Sequence, residues 1–293
     1  MTVPKIIFII PYRNRIFLKR HFEVYMRYIL EDIPKDSYKI FFAHQKDARP
    51  FNRGGMKNIG FLAMRELYPN DYKNITFVFN DIDTTPAEKN FINYETKHGI
   101  VKHFYGFNFA LGGIFSITGG DFEKIGGFPN YWAWGLEDND IYGRALKHGL
   151  VVDRSHFCPF ADARIIQIPY DYKRILSKQQ TWRAGSNCVE GFNHIKNLKY
   201  TINNEYIDIA SFTTPVNPMN DHYVEVVADG KIPRDPNFIP KDAVGGARPI
   251  LNGRFGGGNR VGGNIGGGNR VGGNRVRGNR GGASGQKSKF SLY

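Results

Sequence analysis

A chain of 293 residues, 41% of them hydrophobic and 14% aromatic, has the apolar mass for one large core or two small ones, which excludes wholesale disorder. Its net charge of +13 is unevenly placed: no acid follows Asp242, where seven Arg and two Lys contribute +9, so residues 1–242 carry an ordinary +4. Two cysteines, Cys158 and Cys188, exclude a disulfide framework, and no apolar run reaches the roughly 18 residues of a membrane span; the expectation is a soluble, cytoplasmic chain without a membrane span.

In chain order, Lys5–Ile10 is an Ile-rich run suited to a strand buried on both faces. It ends in Pro11-Tyr-Arg-Asn-Arg15, which places Arg13 and Arg15 at the edge where open α/β sheets hold ligands. Ile16–Leu30 carries Leu18, Phe22, Met26 and Ile29 near helical spacing. Tyr38–Ala43 reads as a second strand, and Phe51-Asn-Arg-Gly-Gly55 opens a helix through Met56, Ile59, Ala63, Met64 and Leu67. Asn74–Asn80 is the clearest strand; the alternation predicts a doubly wound sheet. Phe107–Thr118 reads as a strand interrupted at Gly112-Gly113, as at a bulge or a close ligand approach. Asp121–Ile125 is a short helix, and a longer one runs through Ile141, Ala145 and Leu146 to Gly149. Arg164–Ile168 and Tyr206–Phe212 read as strands, Ser177–Arg183 as polar and mobile, and Pro233–Pro240 as a linker. Residues 1–242 are therefore expected to form one domain and 243–293 a basic Gly/Asn/Arg-rich tail, in which a ten-residue unit recurs at Gly256 and Gly266. Such a tail cannot bury a core; it solubilises the chain or contacts polyanions.

Two stretches carry the chemistry. Asp81-Ile-Asp83 closes the clearest strand, and on an extended backbone both carboxylates face the same side, ready for one cation. Asp and Asn that simply end a strand in an Asx-turn are the plainer alternative. Phe128-Pro-Asn-Tyr-Trp-Ala-Trp-Gly-Leu-Glu-Asp-Asn-Asp140 joins aromatics and acids just before a helix. Helix capping accounts for Glu137 and Asp138 but leaves Trp132 and Trp134 unexplained. A nucleotide-sugar site accounts for all of them: a base for the acceptor hydroxyl, a flat ring for sugar C–H groups, and a hard cation with Arg13, Arg15 and Arg53 for the diphosphate.

Four blocks, in order over roughly residues 5–200, resemble motifs of the beta-1,4-galactosyltransferases, a family of inverting enzymes. Pro11-Tyr-Arg-Asn-Arg15 is similar to the family's Pro-Phe-Arg-Asn-Arg, and Phe51-Asn-Arg53 to its Phe-Asn-Arg, both on the nucleotide side. Phe77-Val-Phe-Asn-Asp-Ile-Asp83 resembles Phe-Val-Phe-Ser-Asp-Val-Asp. Gly126–Asp140 resembles Asn-Gly-Phe-Pro-Asn-Asn-Tyr-Trp-Gly-Trp-Gly-Gly-Glu-Asp-Asp-Asp, the most specific of the four. The resemblance implies an α/β fold of the GT-A, Rossmann-like kind: a mixed, mostly parallel sheet flanked by helices. It implies Asp138 as base, Glu137 and Trp134 as pocket, Asp83 as ligand of Mn²⁺ or Mg²⁺ and Asp81 as donor contact. Pro11, Tyr12, Arg13, Arg15, Phe51, Arg53, Ile82 and Gly113 would complete the donor site. The implied reaction is a single displacement on a UDP-sugar by a glycan or glycoconjugate hydroxyl.

Three departures from the family stand out. The residue before Gly112-Gly113 that matches the family's Tyr is Ala110, which widens the donor pocket toward an N-acetylhexosamine. Ile165 and Ile168 stand where the family has a metal-binding Met-x-x-His, so His156 or Gln167 substitutes, or Asp83 holds the metal with phosphate and water. The anchor and lumenal disulfides of animal members are not seen, as expected for a microbial or large-virus enzyme. The competing expectation is a catalytically silent glycan-binding module with a polyanion-binding tail; the tail alone would suit a nucleic-acid binder.

Overall fold

A computed structural model describes residues 2–169, 173–184 and 188–227; the boundary at 242, the linker expected at 233–240 and the basic tail lie outside the described residues. At the centre is β1 (Ile6–Tyr12), buried along its whole length and parallel to β2 (Tyr38–Gln45) on one side and β3 (Thr76–Asn80) on the other. Successive side chains of a strand point to opposite faces, and β1 splits accordingly. Ile7 and Ile9 enter one core with Met56, Ile59, Ala63 and Met64 of α2 (Arg53–Leu67). Ile6, Phe8 and Ile10 enter the other with Leu18, Phe22, Met26 and Ile29 of α1 (Ile16–Ile29). Burying each of these side chains contributes about 1.5–3 kcal/mol, so β1 has no solvent face to give up.

Beyond β3 come β6 (Ile114–Thr118), β5 (Ile100–Gly106) and β7 (Val151–Asp153); beyond β2 come β12 (Tyr206–Thr213) and β11 (Lys196–Asn203). β8 (Cys158–Pro159) also pairs with β5. β6 runs antiparallel to both neighbours and β11 runs antiparallel to β12, so the sheet is mixed and mostly parallel, as the family resemblance implied. Two short ribbons stand apart: β4 (Thr84–Pro86) with β9 (Ile165–Gln167), and β10 (Lys173–Ser177) with β13 (Tyr223–Val227). The remaining described α-helices are α3 (Gly119–Lys124), α4 (Glu137–Lys147) and α5 (Lys178–Ala184).

Two local expectations are corrected. Only Ile114–Thr118 of the Phe107–Thr118 run is strand; Phe107–Gly113 is a loop, turned by an Ala110 N–H to Phe107 O bond of 3.2 Å and by Gly113 at φ +66°. Ser177–Arg183 opens a helix, because the Ser177 hydroxyl accepts from the Gln180 N–H at 3.0 Å and caps it. Among the described residues no helix is long and apolar enough to cross a membrane.

Candidate active site

The site is built around the first two turns of α2. Asn52 caps the helix, its Oδ1 accepting from Gly55 N–H at 2.7 Å, and so aims Arg53 toward the ends of β3 and α4. The Arg53 guanidinium donates to Glu137 Oε1 at 2.6 Å, to Asp81 Oδ2 at 2.7 Å and to Asp138 Oδ2. One turn on, Lys57 is fully buried, its Nζ 3.3 Å from Asp81 Oδ1, 3.7 Å from Asp138 Oδ1 and 4.9 Å from the centre of the Phe128 ring. The loop carrying the acids is fastened to the same helix: Asn58 Nδ2 donates to Phe128 O at 2.8 Å and Asn52 Nδ2 to Asn130 O at 3.1 Å.

Glu137 and Asp138 are the first residues of α4, but they do not cap it. The capping position is Leu136, in the left-handed region at φ +73°, with no side-chain cap bond. Ala133 and Gly135 also have positive φ, at +72° and +113°. Strain of this kind costs on the order of 1–3 kcal/mol per non-glycine residue, and here it turns both carboxylates onto Arg53. The capping reading of these acids is thereby set aside.

Three carboxylates share two cations, so one carries unbalanced charge. Burial opposes ionisation of Asp81, but Arg53 and Lys57 hold its pKa below the usual carboxylate value. Burial opposes the Arg53 charge as well, yet Asp138, Asp81 and Glu137 hold its pKa well above normal. Asp138 carries the excess: burial pushes it up to about 6 against the pull of Arg53 and Lys57. Its backbone is pinned too, since Asp138 O accepts from Leu111 N–H at 2.8 Å. A Cβ at Gly112 would lie 2.8 Å from Asp138 Oδ2, so a side chain there would displace that carboxylate.

Asp81-Ile-Asp83 is not extended. Thr84 N–H donates to Asp81 O at 3.1 Å, closing a turn, so the same-face argument for the two aspartates is corrected. Asp81 faces Arg53 and Lys57, Ile82 is buried, and Asp83 accepts from Thr84 Oγ1 at 3.0 Å with Arg15 Nη1 3.9 Å away. Burial and the charge of Asp81 raise the pKa of Asp83. The β4–β9 ribbon brings Ile168 against it, with Ile168 N–H donating to Asp83 O at 2.8 Å. Gln167 Oε1 accepts from Tyr105 OH at 2.7 Å, and His156 lies exposed in the turn before β8. No group of three His, Cys, Asp or Glu that could hold a metal exists among the described residues. The described residues therefore give Asp83 no set of protein ligands that would close in a cation; it fits one shared with nucleotide phosphates and water, as Mg²⁺ is commonly bound.

The other expected site residues lie at the end of β1 and in loops. Pro11 is buried, and Tyr12 packs between Phe42, His44 and Tyr206. Arg13 lies 5.3 Å over the Phe51 ring and donates to Arg49 O. Gly113 O accepts from Asp81 N–H at 3.0 Å. Trp134 is 46% exposed, with Arg174 5.6 Å over its ring. Trp132 is core instead: 1% exposed, stacked on Phe212 at 5.2 Å, its indole N–H donating to Thr214 Oγ1 at 2.8 Å. Sequence reasoning missed Lys57 and His103. Burial and Arg154 lower the His103 pKa to about 4, so the neutral ring donates from Nε2 to Tyr105 O (2.9 Å) and Gly112 O (3.1 Å) while Nδ1 accepts from Arg154 Nε at 3.1 Å. It also missed an exposed aromatic stack, Phe109–Phe107–Phe160, with centroid spacings of 5.2 and 5.3 Å. The alternation Phe107-Asn-Phe109 was the only trace of it.

Residues 1–96 match the family described as the N-terminal region of glycosyl transferase group 7, and residues 101–168 the one described as the N-terminal domain of galactosyltransferase. The chain is 29% identical over 218 residues to beta-1,4-galactosyltransferase 5 of Sus scrofa, covering 69% of this chain and 53% of that protein. It is 33% identical over 159 residues to beta-1,4-galactosyltransferase 1 of Bos taurus, covering 51% and 38%. The chain thus spans about half the length or less of these curated relatives. A mutant Drosophila beta-1,4-galactosyltransferase 7, solved with manganese, UDP-Gal and xylobiose, superposes with a TM-score of 0.53 at 19% identity, over 71% of this chain and 94% of that one. The fold is GT-A, and the chain belongs to the beta-1,4-galactosyltransferase family.

Proposed function

We propose that the chain moves a hexose or N-acetylhexosamine from a UDP-sugar to a hydroxyl of a glycan or glycoconjugate, inverting the anomeric carbon. The observation that carries this reading is the convergence of Asp81, Glu137 and Asp138 on Arg53 at the ligand edge of the sheet. Asp138 takes the proton of the acceptor hydroxyl as its oxygen attacks the anomeric carbon and the bond to UDP breaks. Its position at the start of α4 favours the ionised form, and burial brings its pKa toward the working pH. Glu137 is buried and held by Arg53, so it orients the pocket; Trp134 offers an exposed ring face to the sugar. Arg13, Arg15 and Arg53 compensate the phosphates, with Pro11, Tyr12 and Phe51 on the nucleotide side. Mn²⁺ or Mg²⁺, held by Asp83 with phosphate and water, would supply charge compensation for the departing UDP. The reading also puts the enzyme in a reducing compartment such as the cytoplasm, consistent with Cys158 and Cys188 both being free, and gives the basic tail polyanions to contact.

Release of UDP from a panel of nucleotide sugars, with and without Mn²⁺, tests the whole reading. With Ala110 before the glycine pair, UDP-GalNAc or UDP-GlcNAc is expected to serve at least as well as UDP-Gal; strict UDP-Gal preference would overturn that. EDTA should abolish turnover, and full activity in its presence would remove the metal. Asp138→Asn should lower kcat by at least about 100-fold while donor binding persists by calorimetry. A variant with unchanged turnover would exclude Asp138 as base, and an unaltered protein that binds sugar without turnover would favour the glycan-binding module.

A further inference from the structure

Lys57 is the most deeply enclosed charge of the site, with a side chain 0% exposed against 22% for Arg53. Its ammonium reaches Asp81 Oδ1 (3.3 Å) and Asp138 Oδ1 (3.7 Å) across the Phe128 ring. None of these three atoms has a hydrogen-bond partner among the described contacts. The two cations also differ in freedom. Arg53 is a partly exposed fork whose donors are those a diphosphate would draw upon, whereas Lys57 is walled in by α2, Phe128 and the two aspartates. When Arg53 engages a donor, Asp138 is left facing Asp81 and Glu137, both negative; of the charged groups that face it from α2, α4 and the end of β3, only Lys57 then remains as a counter-charge.

We propose that Lys57 is a positioning residue that keeps Asp138 ionised and fixed when Arg53 turns to the donor, a role that rests on Asp138 being the base. Lys57 does not touch the reacting atoms; it acts through Asp138, and its removal is felt in the pH dependence rather than in donor binding.

The test uses the full chain, with UDP release measured from pH 5 to 9.5 for wild type, Lys57→Met and Lys57→Gln. An opposite charge at this distance moves a carboxylate by about one to three pH units, so the acid limb of kcat/KM should rise by that amount in both variants. Alkaline kcat should recover toward wild type, and donor KM should change by less than about twofold. A limb that stays in place, or a loss of kcat equal at all pH values, overturns the inference. Lys57→Gln keeps a donor for both aspartates, so it carries the test where Lys57→Met does not fold by circular dichroism. If neither folds, the Asp138 carboxyl ¹³C resonance of the wild type, titrated with and without UDP and Mn²⁺, decides: a midpoint held below 7 with UDP supports Lys57, and a higher one overturns it. Asp138→Asn separates the two levels. If it stays active, the base assignment falls and the Lys57 role falls with it. If it is inactive and the acid limb of the Lys57 variants does not move, only the Lys57 role falls.

Discussion

At the scale of single residues, charge balance governs the site. A base must be ionised to accept a proton, and Asp138 is pushed up to about 6 by burial. With Asp138 as the proposed base, protonation as pH falls through that value should lower kcat/KM of the free enzyme about tenfold per unit below pH 6; a profile flat to pH 5 would contradict this. Asp140 sits nearby without a place in the chemistry. Burial pushes its carboxyl up to about 6, and the Tyr131 hydroxyl donates to it. A folded pKa above the unfolded value means that the folded state holds its proton longer. The ionised form therefore costs stability above about pH 6, and the cost vanishes below about pH 4. Asp140→Asn keeps an acceptor for Tyr131 and removes the charge. It should stabilise the fold by about 1 kcal/mol at pH 7.5 and change nothing at pH 4, by thermal melting at both pH values; a partly exposed site justifies only that modest figure.

At the scale of elements, α2 does most of the assembly, presenting Asn52, Arg53, Gly54, Lys57 and Asn58 to the acid-bearing loop within two turns. Its closest approach is at Gly54, where a Cβ would lie 2.4 Å from Pro129 O, a backbone atom that cannot yield without moving the loop. Gly54→Ala should cost about 1–3 kcal/mol of stability and lower kcat by displacing Glu137 and Asp138; denaturant titration beside UDP release would show both. The elements most legible in the sequence were those whose pattern is also their packing. The Ile run of β1 is buried on both faces, and the helical spacing of α1 and α2 matches their buried stripes. β5 was not legible because Lys102 and His103 interrupt its apolar run, nor β11, an edge strand exposed along most of its length. Asp81-Ile-Asp83 misled for a different reason: an i, i+2 spacing is the same whether the backbone is extended or turned, and the Thr84–Asp81 bond that decides it is invisible in composition. Lys57 was missed because a lysine in a helical pattern reads as solvent-facing, and only the arrival of Asp81 and Asp138 makes it an inward one.

At the scale of the whole molecule, the candidate site draws on residues from Pro11 to Asp138, brought to one edge because β1, β2 and β3 run parallel and end together. Nothing in that construction needs the residues after Asp242, although those residues hold +9 of the total +13. The candidate site and the excess charge are thus separable in sequence, and truncation after Asp242 tests whether they are separable in function. UDP release per molecule should stay within about twofold of the full chain, since no candidate site residue is removed. Binding to heparin or to single-stranded nucleic acid should be lost, because the remaining chain carries only +4. In the full chain that binding should weaken steeply with salt, by a slope of about −0.7 for each phosphate neutralised on a single strand. Salt-insensitive binding, or binding that survives truncation, would place the polyanion contact on the folded part instead. A truncated protein that kept donor hydrolysis yet lost transfer to an anionic acceptor would make the tail a tether for that acceptor, raising its local concentration at Asp138.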